Sequence, residues 1–495
     1  MGWLHAGQDC IPRPRGFPGT GKARVGWGSF VSRGRFAIGL FRRVTNRAPE
    51  GAQDAILPHI RSGLSASGKT NSHWDCFVRP VFNRSIRVAL LATAALSAAA
   101  APISPAEFAS RRAALEKRLD GVLVLFGKTE TGEGLDGFHQ EANFYYLTGW
   151  SEPGAVALFT HSGATLFLPQ HNEKLERYTG RHASAEDSDV HARTGFDNVL
   201  PLARFEFEFA KAIETSEKVY AMSDDSHTPA LKSLAPLRTF EDGASPVVAL
   251  RQKKSPAEIE AIQHATDVSV EAHRQAWKRV APGMYEYQLA AVMSDVVLNA
   301  GCERWAYAPI IGSGPNGAVL HYDENRRQME SGELVVMDVA GECAGYASDI
   351  TRTIPVNGKF TARQLELYNV VLGAQKAGIA AVKPGVPFWT GDNSPDTAAR
   401  HYIETHGKDL HGESLGKYFT HKIGHEVGLE VHDPPMPPAK LEEGMVVTIE
   451  PGVYIPEERI GIRIEDVVLV TATGSRVLSA ALPKEPAEIE KALAR

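Results

Sequence analysis

Residues 421–433, HKIGHEVGLEVHD, concentrate imidazole groups in one short segment. The segment contains three histidines, His421, His425 and His432. A zinc-binding helix of the H-E-x-x-H type would start at His425-Glu426 and would need a second histidine at position 429, which is Leu429. The segment can therefore supply metal ligands, but it forms a metal site only with residues from elsewhere in the chain.

Four carboxylates lie in apolar runs that we predict to be strands. They are Asp338 in VVMDV, Asp349 in YASDITRT, Glu450 in VVTIEPG and Glu465 in GIRIED. Carboxylates are poor strand residues, and burying one without a partner is costly. Either arginines neutralise the four groups or the groups share cations. Only Arg352 and Arg463 lie near them in the sequence, so we favour shared cations.

Two divalent ions would balance the four carboxylates and leave room for one imidazole and a hydroxide. Oxygen ligands with a single nitrogen suit Mn²⁺, Co²⁺, Fe²⁺ or Zn²⁺. Successive side chains of a strand point to opposite faces, so Arg463 and Glu465, two residues apart, would share the face that meets the metal ions. The residue types therefore indicate a metal centre built from several strands and the histidine segment.

The order of these motifs resembles that of the pita-bread metallopeptidases, the family of methionine aminopeptidase, aminopeptidase P and prolidase. Two aspartates spaced D-x10-D are followed by GHEVGLEVHD, IEPGVY and GIRIED. Residues 139–155, HQEANFYYLTGWSEPGA, resemble the N-terminal domain of aminopeptidase P and prolidase, which methionine aminopeptidases lack. The resemblance covers about residues 104–485.

The resemblance implies two divalent metal ions, for which we expect Mn²⁺, with Co²⁺, Zn²⁺ or Fe²⁺ as alternatives. Their ligands would be Asp338, Asp349, His425, Glu450 and Glu465. Asp349 and Glu465 would bridge the ions. The ions would activate a water that attacks the scissile carbonyl, and Glu450 would carry its proton to the leaving nitrogen.

Other catalytic roles also follow from the resemblance. His432 and His321 match residues that donate hydrogen bonds to the carbonyl oxygen and the tetrahedral intermediate. Tyr454 and Arg463 match residues that support the site. The role of His421 stays open, between orienting the loop and merely flanking the site.

The resemblance implies hydrolysis of the N-terminal Xaa-Pro bond, because family members with this first domain cleave there. The substrates would be peptides with proline at the second position, whose imide nitrogen carries no N–H. One alternative is an Xaa-Pro dipeptidase, and another is a non-catalytic pita-bread protein, which the intact ligand set disfavours. Creatinase-like hydrolases share the two-domain build but lack these ligands. We also expect a homo-oligomer, a dimer or tetramer.

The elements that must position these residues form two predicted domains. Residues 104–250 alternate strands and helices and predict an α/β N-terminal domain. Residues 251–485 predict an α+β catalytic domain of the pita-bread (creatinase/aminopeptidase-like) type, in which two long helices precede the strands. The predicted strands are 121–127, 144–149, 154–159 and 164–169 in the first domain, and 333–341, 346–356, 446–455 and 461–471 in the second.

Charge separates the N-terminal hundred residues from the rest of the chain. Residues 1–100 carry 14 Lys and Arg against 4 Asp and Glu, whereas the remainder carries 39 against 55. A body with a net charge of −16 disfavours nucleic acid as a partner and is compatible with a metal ion. The chain has four cysteines, and we expect Cys302 and Cys343 to be buried free thiols rather than a disulfide.

Residues 1–80 are rich in Arg, Gly, Pro and Ser, and we predict that they are disordered or an extension that does not belong to the protein. Residues 81–103 have the pattern of a signal peptide, with Arg84 and Arg87 before an apolar run and small residues. That run is too short for a stable membrane span. We expect export to the periplasm or outside the cell if the signal acts, and a cytoplasmic protein if the segment is a linker helix.

Overall fold

A computed structural model describes residues 103–129, 137–434 and 440–494. The segment predicted to be disordered and the signal-peptide pattern lie outside the described residues, apart from Ile103. Among the helices that the structure describes, none combines the length and the apolar character needed to cross a bilayer.

A six-stranded mixed sheet organises the first predicted domain. Its strands are β1 (Val122–Phe126), β2 (Val156–Thr160), β3 (Gly163–Leu168), β4 (Asn198–Pro201), β5 (Lys218–Ala221) and β6 (Thr239–Asp242). The helices are α1 (Pro105–Glu116), α2 (Ala142–Thr148), α3 (Glu173–Thr179), α4 (Val190–Thr194), α5 (Phe205–Ala212), α6 (Thr228–Leu234) and α7 (Ala244–Arg251). The strand order is β4-β3-β2-β1-β5-β6, with β2 antiparallel to both neighbours and the remaining pairs parallel. This arrangement agrees with the predicted α/β domain.

The predicted strand at 144–149 is wrong, because these residues belong to helix α2. The carboxylate of Glu141 accepts a hydrogen bond from the Phe144 N–H at 2.6 Å and caps the helix start. Gly149 ends the helix in the left-handed conformation, with φ of 64°. A short apolar run cannot be assigned to strand or helix by periodicity alone, and these two end residues decide it.

The second predicted domain contains small antiparallel sheets and long helices. Its strands are β7 (Arg304–Trp305), β8 (Ile310–Ser313), β9 (Leu334–Asp338), β10 (Gly341–Cys343), β11 (Tyr346–Ala347), β12 (Thr351–Pro355), β13 (Val446–Ile449), β14 (Gly452–Ile455), β15 (Ile460–Arg463), β16 (Asp466–Val470) and β17 (Ser475–Val477). The helices are α8 (Pro256–Arg279), α9 (Glu286–Asn299), α10 (Ala362–Ala381), α11 (Pro395–His406) and α12 (Pro486–Leu493). The strands pair as β12-β9-β8, β13-β16-β17, β11-β10-β7 and β14-β15.

Helix α8 begins as the sequence predicts. Ser255 caps the helix, Pro256 occupies its first position and Glu258 completes a reciprocal capping box. The apolar faces of the long helices pack with the strands into one large core cluster, which includes Leu289, Val335 and Ile449. This core supports the strand ends that carry the predicted metal ligands.

Cys302 and Cys343 form a disulfide, so the expectation of two free thiols is wrong. Strand β7 pairs with β10, which places Trp305 opposite Gly341 and brings the two cysteines to a Cα–Cα distance of 4.3 Å. The cysteines are 41 residues apart, and their spacing alone carries no sign of this pairing.

A buried ion cluster joins the end of α7 to the histidine segment. Arg251 donates hydrogen bonds to Asp433 at 2.6 Å, to Glu430 at 2.7 Å and to Asn143 at 2.7 Å. Lys254 lies 3.2 Å from the second oxygen of Asp433. Burial alone would raise the pKa of Asp433, but the two cations lower it below its ordinary value. The predicted boundary between residues 104–250 and 251–485 stays a prediction, since these contacts cross it.

Replacing Asp433 with Ala should destabilise the protein strongly. Arg251 and Lys254 would then be buried without their shared carboxylate, which costs about 3–5 kcal/mol. The free energy of unfolding from denaturant titration measures this loss. The pKa of Asp433 is lowered by folding, so the stabilisation is present at neutral pH and is lost as the pH falls below about 4.

Glu430→Ala is the matched control, because the Glu430 side chain is 49% exposed while it bonds the same arginine. Because water screens the exposed partner, we expect this pair to contribute about 1 kcal/mol or less. Equal losses in the two variants would contradict the assignment of Asp433 as the centre of the cluster.

Candidate active site

A cavity of about 490 Å³ contains every residue that the sequence assigned to the site. These lining residues are His321, Asp338, Asp349, His425, His432, Glu450, Tyr454, Arg463 and Glu465. The wall also includes Tyr307 and His421, and apolar atoms of Ile310, Leu320 and Val431. The cavity therefore combines a strongly polar floor with apolar sides, which is the usual character of a ligand site.

The four carboxylates lie at strand ends rather than inside strands, which corrects the prediction from the sequence. Asp338 is the last residue of β9, and Asp349 precedes β12. Glu450 falls in the break between β13 and β14, and Glu465 in the break between β15 and β16. Each side chain therefore leaves the backbone where the ladder is interrupted, and the four breaks meet at one cavity.

Three of these carboxylates lack an ion pair among the described residues, although the charge of Arg463 opposes the rise in their pKa. In the described part of the chain, no lysine or arginine forms an ion pair with Asp349, Glu450 or Glu465. Burial raises the pKa of each well above its ordinary value, and neighbouring carboxylates add to the effect. Such a cluster requires positive charge from outside the protein, which fits divalent metal ions.

His425 presents a free nitrogen to this cluster. Its Nδ1 lies 3.1 Å from the carbonyl oxygen of Glu426, which can only accept, so Nδ1 carries the proton. Its Nε2 therefore has a lone pair, and it lies 3.3 Å from Asp349 and 3.6 Å from Glu450. The ligand atoms of His425, Asp349 and Glu465 all lie within 4.8 Å of one another. Several lone pairs facing one point is the arrangement that a metal ion requires.

Asp338 is held from two sides. Arg463 donates to one of its oxygens at 2.6 Å, and the Tyr307 hydroxyl donates to the other at 2.6 Å. Burial and the nearby carboxylates raise the pKa of Tyr307, so the phenol keeps its proton. Tyr307 is not among the predicted site residues, because the stretch RWAYAPI shows no motif or spacing that distinguishes it.

His421 belongs to a hydrogen-bonded chain within the cavity wall. Its Nδ1 donates to the carbonyl oxygen of Lys422 at 2.8 Å, so its Nε2 accepts from the Tyr454 hydroxyl at 2.9 Å. Tyr454 in turn accepts from Arg463 at 2.8 Å. Burial lowers the pKa of His421 to about 4 and raises that of Tyr454 to about 12, so both are neutral near pH 7.

His432 and His321 also line the cavity. The His432 ring stands nearly perpendicular to the His425 ring, with centroids 4.3 Å apart. Burial, with His425 and His321 nearby, lowers the pKa of His432 to about 4. A neutral imidazole retains one N–H, so His432 can still donate a hydrogen bond to a substrate oxygen.

The loop that carries His321 is anchored by Glu286, a second residue missed by the sequence analysis. The fully buried carboxylate of Glu286 accepts hydrogen bonds from Ser313, Asn316, Tyr322 and the backbone N–H of Arg327. It lies at the start of α9 and resembles an ordinary first-turn acidic residue in sequence. The contacts fix the loop on both sides of His321.

Helix α11 and its preceding segment hold the histidine segment in place. The Asp396 carboxylate accepts from the Ile423 N–H at 2.8 Å, and the Trp389 indole donates to the Gly424 carbonyl at 2.9 Å. Gly424 also packs against the carbonyl oxygen of Thr448, where a Cβ would collide. The position of His425 is thus set by contacts to the two residues that precede it.

Comparison with known proteins gives the family. Residues 260–472 match metallopeptidase family M24, and residues 108–220 match the aminopeptidase P N-terminal domain. The chain is 32% identical over 432 residues to an Xaa-Pro aminopeptidase of Escherichia coli (strain K12), covering 78% of this chain and 97% of the relative. It is 34% identical over 349 residues to an Xaa-Pro dipeptidase of Pyrococcus horikoshii, covering 68% and 90%.

A solved structure agrees with the sequence relatives. A low-pH form of aminopeptidase P from E. coli superposes with a TM-score of 0.73 at 29% identity, covering 79% of this chain and 99% of that chain. The chain therefore belongs to metallopeptidase family M24, with an aminopeptidase P-type N-terminal domain, a pita-bread catalytic domain and a centre for divalent metal ions.

Proposed function

We propose that this protein is an Xaa-Pro aminopeptidase, which removes the first residue of a peptide when proline follows it. The observation that carries the proposal is the cavity in which buried carboxylates without a cation surround the free Nε2 of His425. Relatives named Xaa-Pro aminopeptidase cover most of the chain and support the choice of substrate.

The ligands in this proposal are those implied by the family motif. Asp349 and Glu465 would bridge two ions, and the others would be Asp338, His425 and Glu450. Four carboxylates and one imidazole form a mainly oxygen donor set, which favours Mn²⁺, with Co²⁺, Zn²⁺ or Fe²⁺ as alternatives. When bound, the ions would lower the pKa of a water and polarise the scissile carbonyl.

Glu450 is the proposed proton carrier. Burial and Glu465 raise its pKa above the ordinary value, which makes its carboxylate a stronger base than a solvent-exposed one. The Thr448 hydroxyl donates to Glu450 at 3.3 Å and orients the carboxylate toward the cavity. Glu450 would take a proton from the attacking water and give it to the proline nitrogen as the bond breaks.

Substrate orientation would depend on neutral donors and an acidic floor. His432 and His321 would each donate a hydrogen bond to the scissile carbonyl oxygen as it gains charge. The negative charge at the cavity floor would attract the free α-amine of the substrate, which restricts cleavage to the peptide N-terminus. Arg463 and Tyr454 would hold Asp338 and His421 in position.

An Xaa-Pro dipeptidase is the second candidate, because one relative of that name is 34% identical to this chain. The two activities differ in whether the product side admits further residues. Aminopeptidase P relatives often carry an arginine in the segment after Asp433. In this chain the basic residue of that segment is Lys440, so the segment does not distinguish the two activities. Residues 435–439 of that segment lie outside the described residues.

We also propose that the protein is exported. The signal-peptide pattern at residues 81–103 supports export, and the Cys302–Cys343 disulfide is typical of an oxidising compartment. A homo-oligomer, either a dimer or a tetramer, stays a prediction.

The substrate assay compares Xaa-Pro-Yaa, Xaa-Pro and Xaa-Ala-Yaa on protein loaded with Mn²⁺. We expect release of the first residue from Xaa-Pro-Yaa, and little turnover of the alanine peptide, which serves as the matched control. Cleavage of Xaa-Pro alone would establish the dipeptidase instead. Cleavage of none of the proline peptides would overturn the proposed function.

Loss of a bridging ligand should remove both metal and activity. Protein purified without chelator should hold close to two divalent ions per chain when fully loaded, as measured by elemental analysis. Asp349→Ala and Glu465→Ala should each lower the metal content and abolish turnover. Lys422→Ala changes a cavity residue outside the ligand set and should keep both ions. Full activity in either carboxylate variant would contradict the two-ion site.

Histidine variants should separate the ligand from the hydrogen-bond donors. His425→Ala should lose both metal and turnover, because its Nε2 has no substitute. His432→Ala and His321→Ala should keep the metal while kcat/KM falls by roughly 10²–10³, about the cost of one lost oxyanion donor. His421→Ala should lose less than about tenfold, or about 1.4 kcal/mol, if it only positions Tyr454. Loss of metal from His432→Ala but not from His425→Ala would reverse the assignment.

A further inference from the structure

The Cys302–Cys343 disulfide lies beside an imidazole that has no partner. A ring nitrogen of His264 and the two sulfur atoms all lie within 4.8 Å of one another. Among the described residues, none forms a hydrogen bond or an ion pair with His264. A ring nitrogen without a hydrogen-bond partner in the described part of the chain therefore lies next to two sulfur atoms.

Three separate elements bring these side chains together. His264 lies in α8 and is partly exposed, Cys302 follows α9, and Cys343 ends β10. The two cysteines are only 5% and 2% exposed. None of the three residues lines the active-site cavity, so the group is distinct from the proposed peptidase centre.

We propose that His264, Cys302 and Cys343 form a second metal site, for a thiophilic divalent ion such as Zn²⁺, when the disulfide is reduced. Exchange with a dithiol breaks the S–S bond, transfers two electrons and two protons to the cysteines, and leaves the dithiol as its own disulfide. Metal binding then releases both thiol protons. Two thiolates, one neutral imidazole and one divalent ion give a site with no net charge.

The donor set selects against the ion proposed for the peptidase centre. Thiolates favour Zn²⁺ and similar soft ions, whereas Mn²⁺ prefers oxygen ligands. Zinc bonds are about 2.3 Å to sulfur and about 2.0 Å to nitrogen, so tetrahedral ligand atoms lie roughly 3.5–3.8 Å apart. The ring nitrogen and the two sulfur atoms lie within 4.8 Å of one another, which is compatible with these separations. The exposed edge of His264 leaves the fourth position to water.

Burial supplies a reason for the reduced cysteines to bind a cation. Two thiolates at this depth would be costly without positive charge, so the pair is either protonated or metal-bound. The ion would join the same two segments that the disulfide joins. The pairing between β7 and β10 would then persist in the reduced chain. Tyr307 follows β7 and Asp338 precedes β10, so this pairing supports the hydrogen bond between them.

The test uses the full chain with Cys10→Ser and Cys76→Ser, so that Cys302 and Cys343 are the only thiols. The peptidase centre is first saturated with Mn²⁺, and the disulfide is reduced with a phosphine, which avoids a competing dithiol chelator. Addition of Co²⁺ should then produce a thiolate-to-metal charge-transfer band in the near ultraviolet. Zn²⁺ should bind at one more ion per chain than in the oxidised form of the same protein.

Three controls keep the outcome decisive. Cys302→Ser with Cys343→Ser should abolish the band and the additional ion. His264→Ala should weaken Zn²⁺ binding by more than about 100-fold. Loss of a residue that only supports a ligand weakens metal binding by at most about 100-fold, so a larger loss identifies His264 as a ligand. Zn²⁺ should also protect both thiols from alkylation in reduced protein whose circular dichroism matches the oxidised form. A reduced protein without the band, or unchanged affinity in His264→Ala, would overturn the proposed site.

Discussion

Mutual repulsion among buried carboxylates is the constraint on which the structure around the cavity depends. Asp338, Asp349, Glu450 and Glu465 converge there, and within the described ranges only Asp338 forms an ion pair with an arginine. Two like charges about 4 Å apart repel by about 4 kcal/mol at an effective dielectric constant of 20. The summed repulsion of several such pairs is comparable to the whole free energy of unfolding of a domain, about 5–15 kcal/mol. The strand breaks that aim these side chains at one point are therefore compatible with folding only when protons or divalent ions neutralise them.

Glu465 and Asp466 make this constraint visible in adjacent residues. Both are buried, but Glu465 lies in the break before β16 and lines the cavity, whereas Asp466 begins β16 and does not line it. Burial opposes ionisation of Asp466, yet Arg352 and Lys484 lower its pKa, and Ser479 and Gln375 donate to its oxygens. Glu465 accepts a hydrogen bond from the Thr351 hydroxyl, but burial and the carboxylates of Asp349 and Asp338 raise its pKa despite the nearby charge of Arg463. The chain thus neutralises the structural carboxylate with its own cations and leaves the cavity-facing one for an ion from outside.

The sequence was sufficient for the parts of the site that use costly residue types in a fixed order. Carboxylates in apolar runs and the histidine segment, together with the family resemblance, predicted nine residues that the structure brings to one cavity. Tyr307 and Glu286 were missed because a tyrosine in a loop and a glutamate in a first helical turn are ordinary locally, and only long-range contacts reveal them. The disulfide and helix α2 were misassigned for related reasons. The disulfide depends on strand pairing that brings two distant cysteines together. Helix α2 depends on the capping residues at its ends, and the apolar pattern between them does not distinguish helix from strand.

His421 and His425 differ in the groups that face their Nε2 atoms. His421 and His425 both donate Nδ1–H to the carbonyl oxygen of the next residue, so both direct an Nε2 lone pair away from the backbone. The Nε2 of His421 meets the hydroxyl of Tyr454, which can donate a proton to it. The Nε2 of His425 meets the oxygens of Asp349 and Glu450, which have no proton to give once they are ionised. The same imidazole tautomer therefore has a hydroxyl donor at His421 and no donor at His425 once those carboxylates are ionised. Because hydrogen bonds to the backbone orient both rings, the surroundings favour His425 over His421 as the proposed metal ligand.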